Sequence, residues 1–194
     1  MLDGAKALSK GVRDVFGERA VIQRCIVHKI RNVESYLPAH WHADVSRRLR
    51  AAWGMTSYDE ARRALLNVHR WLSEHSTAAA ASLMEGLEET LTLHRLKVPP
   101  VLRVSLRTTN SIESVFSQVQ AICHRVKRWR NGKMVLRWVG TALTHIEPKL
   151  RKIMGYRSLP LLVAALQVDT NSSESQLPLS NSHDSCAPCQ TAVA

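Results

Sequence analysis

What this chain lacks excludes several classes of protein. None of its apolar runs reaches the roughly eighteen residues of a membrane-spanning helix. The N-terminus, Met-Leu-Asp-Gly, lacks the basic flank and apolar stretch of a signal peptide, so we expect a cytoplasmic protein. Four cysteines in 194 residues are too few for a disulfide scaffold. Hydrophobic residues make up 45% of the chain, which is enough for a buried core.

Acidic residues are also scarce. The chain has 16 Asp and Glu against 27 Lys and Arg, and its net charge is +11. No Lys or Arg follows Arg157, so residues 1–157 carry every basic side chain and only 13 of the 16 acidic ones. This excess favours a polyanionic partner such as nucleic acid, because Lys and Arg on phosphates release counterions. The alternative is a solvated basic surface.

The first thirty residues predict a helix and then a strand. Apolar residues recur at helical spacing over residues 3–16, and Gly17 should end that helix. Residues 20–27 are apolar and β-branched, which predicts a buried strand. Met1 and Leu2 have the character of the last residues of a second strand.

From Val45 onward the pattern is helical almost throughout. Pro99-Pro100 interrupts it. Residues 112–126 and 135–146 predict two amphipathic helices, and Pro148 should end the second. Residues 169–194 are rich in Ser, Asn and Pro, which predicts a disordered tail.

Two carboxylates have both a catalytic and a structural interpretation. Asp3 stands where a strand would end and a helix begin, so it is either a ligand for a divalent cation or a helix N-cap. Glu113 is either a metal ligand on the first turn of a long helix or the N3 residue of a capping box that Asn110 begins.

Cys25 and His28 form a Cys-x-x-His pair just after the predicted strand. A structural zinc ion would need two more ligands, for which His40 and His42 are the nearest candidates without a matching pattern. The sequence favours a buried cysteine beside a hydrogen-bonded histidine.

Basic and aromatic residues alternate between His124 and Arg157. That stretch holds ten Lys or Arg residues and one acid, Glu147, which suits a track for a DNA backbone. Trp129 is expected to be exposed, whereas Trp138 falls on an apolar stripe and is expected to be core. The candidate DNA contacts are Arg107, Arg125, Lys127, Arg128 and Arg130.

Taken in order, the motifs resemble the C-terminal half of mutator-type bacterial insertion-sequence transposases. The resemblance runs from Asp3 to about Leu166. It is carried by Asp3-Gly4, Arg19 to Cys25, Cys25 with His28, Asn32 to Pro38, Glu85 to Arg95, Thr108 to Ser114 and Ile146 to Arg157.

The resemblance implies an α+β chain that is predominantly α. Residues 1–44 would be part of an incomplete ribonuclease H-like core and residues 45–98 a helical insertion. Residues 99–168 would be the C-terminal part of the catalytic core, and residues 169–194 the disordered tail.

The resemblance also implies an Asp-Asp-Glu triad that uses Mg²⁺ or Mn²⁺ to cut and join DNA at insertion-sequence ends. Asp3 matches its second carboxylate and Glu113 its third, with Asn110, Cys25 and His28 in adjoining motifs. We expect the two carboxylates within roughly 4–8 Å, given two ions about 4 Å apart.

The first aspartate of the family triad lies upstream of the position that Asp3 matches. We therefore expect a nucleoid-associated transposase fragment that is inactive by itself. The alternative is a non-catalytic DNA-binding module that pairs with full-length transposase and inhibits it. The expected partners are therefore duplex DNA and either a second copy of this chain or full-length transposase.

Overall fold

The computed structural model describes residues 1–174, except for the side chains of Glu18 and of residues 170–174. The expectation of a mainly α chain is confirmed for this part of the chain. Its α-helices are α1 Lys6–Phe16, α2 Ile26–Glu34, α3 Ala39–Trp53, α4 Tyr58–His75, α5 Thr77–Met84, α6 Leu87–Thr90, α7 Thr92–Arg95, α8 Pro100–Leu106, α9 Asn110–Cys123, α10 Gly132–Ile146 and α11 Leu159–Glu174.

The largest core forms where α2, α3, α4 and α5 pack together. Helix α4 begins with a capping box, in which Ser57 accepts from Glu60 N–H and the Glu60 carboxylate accepts from Ser57 N–H. Tyr58, Ala61, Leu65, Val68 and Leu72 recur at helical spacing along α4; Tyr58 is half-buried and the other four are buried, with Leu65 and Leu72 fully so. Removing about 25 cal/mol per Å² of apolar surface from water makes this stripe the main driving force for the bundle.

Two smaller clusters hold the C-terminal helices. Helices α9 and α10 pack on each other through Val119, Cys123, Ala142 and Ile146. Turn and helix residues around α7 and α8 pack with Leu162 of α11. The two amphipathic helices predicted over 112–126 and 135–146 are therefore present, although Phe116 on the α9 stripe is 62% exposed.

The strand predicted over residues 20–27 is wrong. Among the described residues there is only an isolated parallel bridge, between Leu2 and Arg24, and α2 already begins at Ile26. Other backbone N–H groups of this extended segment donate to carbonyls at helix ends. Arg24 N–H donates to Glu89 O at 2.9 Å, and Ile26 N–H donates to Arg107 O at 3.0 Å. Because these donors are already used, no ladder extends along the segment.

A buried ionic cluster attaches this segment to α5. Lys29 is fully buried and donates to the carbonyls of Ser82, at 2.7 Å, and Glu85. Arg24 donates to the Glu85 carboxylate at 3.1 Å. Burial and, to a smaller extent, the charge of Arg24 lower the pKa of Lys29, Glu85 opposes the shift, and the net pKa is about 8. The cluster neutralises the last carbonyls of α5, which a helix leaves without partners.

Helix α1 is shorter than the predicted 3–16 and lies on the surface. It begins at Lys6 and ends at Gly17, whose φ of 58° is in the left-handed region that favours glycine. None of its residues is buried, and Phe16 is 58% exposed. The helical prediction is confirmed, but the apolar stripe does not enter the core.

The predicted tail begins too early. Helix α11 continues through Glu174, so residues 169–174 are helical. Asp169 pairs with Arg95, with 3.1 Å between Arg95 Nη2 and Asp169 Oδ2, which fixes the helix against α7. The remainder of the predicted tail, 175–194, lies outside the described residues, and the four-part domain division stays a prediction.

Within residues 1–174, no helix is long and apolar enough to cross a membrane.

Candidate functional site

Cys25 connects the Cys-x-x-His motif to the Thr108–Ser114 motif. It is the residue before α2, and its side chain is fully buried. Its Sγ accepts a hydrogen bond from Thr109 N–H at 3.3 Å and lies 3.3 Å from Thr109 Oγ1. Thr109 in turn is the residue before α9. Residues 84 positions apart therefore meet at the N-termini of two helices.

Thr109 connects His28 to Glu113. Its hydroxyl lies 3.3 Å from His28 Nδ1 and donates to Glu113 Oε1. An ionised carboxylate can only accept, so the single hydroxyl proton of Thr109 goes to Glu113, and we assign the His28 proton to Nδ1, donating to Thr109. His28 Nδ1 is 3.8 Å from Glu113 Oε1, and the resulting chain holds this carboxylate oxygen in one orientation.

The capping-box interpretation of Glu113 is wrong. Helix α9 starts at Asn110, so its N-cap is Thr109, and no side-chain capping bond is present there. Asn110 is exposed on the first turn. The Glu113 side chain accepts from the Thr109 hydroxyl rather than from a backbone N–H, and it stays 45% exposed. Its second oxygen is thus available to a ligand.

Asp3 is linked to Cys25 through the backbone of its neighbour Leu2. Cys25 N–H donates to Leu2 O at 2.8 Å, and Asp3 follows Leu2 directly. Asp3 is exposed, and its Oδ1 accepts from Ala5 N–H at 2.9 Å, ahead of α1 rather than as the α1 N-cap. The expected 4–8 Å separation of the Asp3 and Glu113 carboxylates stays a prediction.

The environment of Cys25 acts on the pKa of its thiol in two opposite directions. Burial raises the pKa of the Cys25 thiol, but hydrogen bonds from Thr109 and His28 outweigh burial, and the pKa is lowered. The interpretation as a buried cysteine beside a hydrogen-bonded histidine is confirmed. Across residues 1–174 no three His, Cys, Asp or Glu side chains form a group that could hold a metal ion, and His42 instead contacts Leu37 O.

Glu113 and Asp3 each have carboxylate oxygens that could bind a cation. Glu113 presents one oxygen oriented by Thr109, and Asp3 keeps Oδ2 beside the Oδ1 that accepts from Ala5. Oxygen ligands of this kind fit Mg²⁺ and Mn²⁺ better than they fit softer metals.

Four of the five predicted DNA-binding residues lie together. The loop between α9 and α10 and the start of α10 surround a groove of ≈ 610 Å³, which we call the basic groove. Its lining contains five cations, one tryptophan and no acid. The residues that define it here are Arg125, Lys127, Arg128, Arg130, Arg137 and Trp138.

Two features of the basic groove differ from expectation. Trp138 is 40% exposed and lines the groove, so its assignment to the core is wrong. Trp129 is 43% exposed, as expected. Arg137 was not predicted, although it precedes Trp138 and shares the solvent-facing side of α10. Core packing on α10 uses Ala142 and Ile146, which leaves the start of the helix to solvent.

Arg107 does not line the basic groove. It is half buried at the end of α8, where its carbonyl accepts from Ile26 N–H. Its charge instead acts on His94 and Arg103. A role for Arg107 in DNA binding stays a prediction.

Comparisons with known proteins agree with the motifs. The profile described as Transposase, Mutator family matches residues 1–151. The chain is 31% identical over 118 residues to the transposase for insertion sequence element IS6120 of Mycolicibacterium smegmatis, covering 61% of this chain and 36% of that protein. It is 29% identical over 140 residues to the transposase for ISRM5 of Rhizobium meliloti (strain 1021), covering 71% and 34%. The chain thus spans about a third of each relative.

Proposed function

Because the chain belongs to the Mutator family of transposases, we propose that it supplies part of a metal-dependent site for DNA strand cleavage and transfer. The observation that carries the proposal is the contact chain from Cys25 through Thr109 to Glu113. This chain of contacts joins the Cys25–His28 motif, which follows Asp3 in the sequence, to the Thr108–Ser114 motif, which contains Glu113. Asp3 and Glu113 are the proposed carboxylates of the site.

Each residue has a proposed role. Glu113 and Asp3 would hold Mg²⁺ or Mn²⁺, which when bound supplies Lewis-acid stabilisation of phosphoryl transfer. Thr109 orients the Glu113 carboxylate, and His28 orients Thr109. Cys25 fixes Thr109 from the buried side. Two carboxylates are fewer than the three of the family triad, so we propose that the 194-residue polypeptide does not cleave DNA by itself.

We further propose that this region lies at the edge of a ribonuclease H-like core. The parallel sense of the Leu2–Arg24 bridge supports this, because the bridged segments run side by side toward the candidate site. DNA at the insertion-sequence ends would be held through its phosphates by the basic groove, whose five cations have no carboxylate among them.

The catalytic proposal is tested by plasmid nicking. With Mg²⁺ or Mn²⁺ the purified 194-residue polypeptide should leave supercoiled DNA intact. A longer transposase of this family carrying these residues should nick DNA, and Glu113→Gln or Asp3→Asn in it should abolish nicking. Metal-dependent nicking by the 194-residue polypeptide, lost in Glu113→Gln, would contradict the inactivity. Unchanged nicking in both variants of the longer protein would contradict the assignment of the carboxylates.

A second candidate function is inhibition of full-length transposase by a DNA-binding module. The exposed basic groove favours it, since that surface can hold DNA without any metal. Co-expression with an active transposase should then lower transposition, and Arg128→Ala with Arg130→Ala should restore it. Arg63→Ala, on the exposed face of α4, is the matched control and should not restore it.

A further inference from the structure

An open cavity of ≈ 550 Å³ lies apart from the candidate site and from the basic groove. The start of α4 forms one wall, and the segment from His94 through the first turn of α8 forms the other. Its volume is within the roughly 300–1,000 Å³ of small-molecule sites. The cavity therefore has room for a ligand as large as a nucleotide.

A buried arginine lies in the wall of this cavity. Arg103 is 7% exposed, and its Nη1 donates to Met55 O at 3.4 Å. Burial lowers the pKa of its guanidinium, and the neighbouring charge of Arg107 lowers it further; among the described residues no carboxylate opposes these effects. Burying a cation without an opposite charge costs free energy, and an anion in the cavity would supply that opposite charge.

The guanidinium of Arg103 shares its backbone acceptor with His94. Met55 O also lies 3.2 Å from His94 Nε2, so one carbonyl holds both side chains. The pKa of His94 is lowered to about 4, first by burial and then by Arg103, so its imidazole is neutral at pH 7 and Nε2–H donates to Met55 O. Arg103 accordingly keeps its remaining N–H groups for a ligand, in the planar fork that binds phosphate.

The rim of the cavity adds to its preference for anions. Lys97 lines it with a left-handed φ of 52°, which turns the chain at this point. The N-terminus of the 18-residue helix α4 also lines the cavity, and the Glu60 carboxylate already caps its Ser57 N–H. Asp59 is the one acid in the lining, and it lies on the first turn of α4, where the helix dipole stabilises it. Arg95 is already paired with Asp169.

We propose that this cavity binds a phosphate group on Arg103, carried by a nucleotide or by a DNA backbone. The site itself does not depend on the proposed catalytic function, because it rests on Arg103 and the cavity alone. The idea that the phosphate belongs to a DNA backbone, in contrast, rests on the proposed catalytic function. The two sources present the same chemistry to Arg103 and are separated by experiment.

Thermal unfolding of the 194-residue polypeptide tests the proposal with inorganic phosphate and adenosine monophosphate as probes. A saturating probe should raise the Tm by roughly 5 °C at constant ionic strength. Arg103→Gln removes the charge and keeps a donor for Met55 O. It should lose this rise, and in phosphate-free buffer its Tm should equal or exceed that of the wild type. A rise of equal size in the variant, or no rise in the wild type, would overturn the proposal.

A second variant covers the possibility that Arg103→Gln does not fold. Lys97→Asn removes the rim charge with a residue that tolerates positive φ, and it should weaken phosphate binding several-fold. Unchanged affinity in Lys97→Asn together with a misfolded Arg103→Gln would count against the site.

A DNA arm identifies the source of the phosphate. If the backbone is the ligand, a short duplex should compete with phosphate in the Arg128→Ala and Arg130→Ala variant, in which the basic groove is weakened. If a free nucleotide is the ligand, adenosine monophosphate should compete and the duplex should not. Competition by neither would overturn the proposal. Failure of DNA cleavage in the longer transposase would leave these results unaffected.

Discussion

The fully buried Lys29 makes the stability of this protein depend on pH in an unusual direction. The pKa of Lys29 is about 8 in the folded chain, whereas the ordinary lysine pKa, which applies to the unfolded chain, is 10.5. Between pH 8 and pH 10.5 the unfolded chain therefore binds more protons than the folded chain. The free energy of unfolding contributed by Lys29 therefore rises with pH from about 8 to about 10.5. Below pH 8 the full penalty of a buried charge is present, and above 10.5 it is gone.

The size of this effect follows from the shift. Each pKa unit corresponds to about 1.4 kcal/mol, so a shift from 10.5 to about 8 is worth about 3 kcal/mol. Lys29→Met keeps the length of the side chain and removes the titration. It also removes the donors to Ser82 O and Glu85 O, a loss that is the same at every pH in this window.

Urea unfolding followed by circular dichroism measures the difference. Between pH 7.5 and 10.5 the free energy of unfolding of the wild type should gain about 3 kcal/mol relative to Lys29→Met. Other lysines and the tyrosines titrate in both proteins and cancel. The matched control is Lys133→Met, at an exposed position on α10, which should run parallel to the wild type. Parallel curves for Lys29→Met and the wild type would refute the reasoning.

Three further predictions concern the glycines, the candidate site and the DNA-binding surface. Gly155→Ala should destabilise by at least about 2 kcal/mol in urea unfolding, because φ is 74° and the new Cβ would lie 2.6 Å from Leu102 N. Its control Gly140→Ala, where a Cβ meets nothing within 4 Å inside α10, should stabilise by about 0.5–1 kcal/mol. Thr109→Val should weaken Mn²⁺ binding in titration calorimetry while Thr109→Ser preserves it; equal affinities would contradict the orienting role. Arg128→Ala should weaken duplex binding equally on all sequences and reduce the salt slope by about 1 in fluorescence anisotropy, and a sequence-dependent loss would contradict backbone contact.

The sequence predicted the helices better than it predicted their surroundings. The α4 stripe is buried as its spacing indicates, and Pro99-Pro100, Gly17 and Pro148 end or begin helices where expected. These features depend on local periodicity and on the backbone restrictions of single residues, so they can be predicted from the sequence alone. Which partner covers a stripe is not local. The same pattern that buries Leu65 in α4 leaves Phe116 of α9 and Phe16 of α1 in solvent.

The strand near residue 24 failed for a related reason. A β-branched run predicts extended backbone, and residues around Arg24 are extended. Whether extended backbone becomes a strand depends on what accepts its hydrogen bonds. Here Glu89 O and Arg107 O do so, and both belong to segments far away in the chain.

By itself the sequence determined the family, the excess of positive charge and the residue types of the candidate site. Only the tertiary structure decided that Cys25, His28, Thr109 and Glu113 form one chain of contacts. Its centre is Thr109, which lies in the Thr108–Ser114 motif but was not a candidate site residue. The tertiary structure also decided that Glu113 is bonded by a side chain instead of closing a capping box. The sequence gives the chemical type of each side chain. A hydrogen bond, however, needs two atoms about 3 Å apart, and only folding brings residues 84 positions apart to that distance.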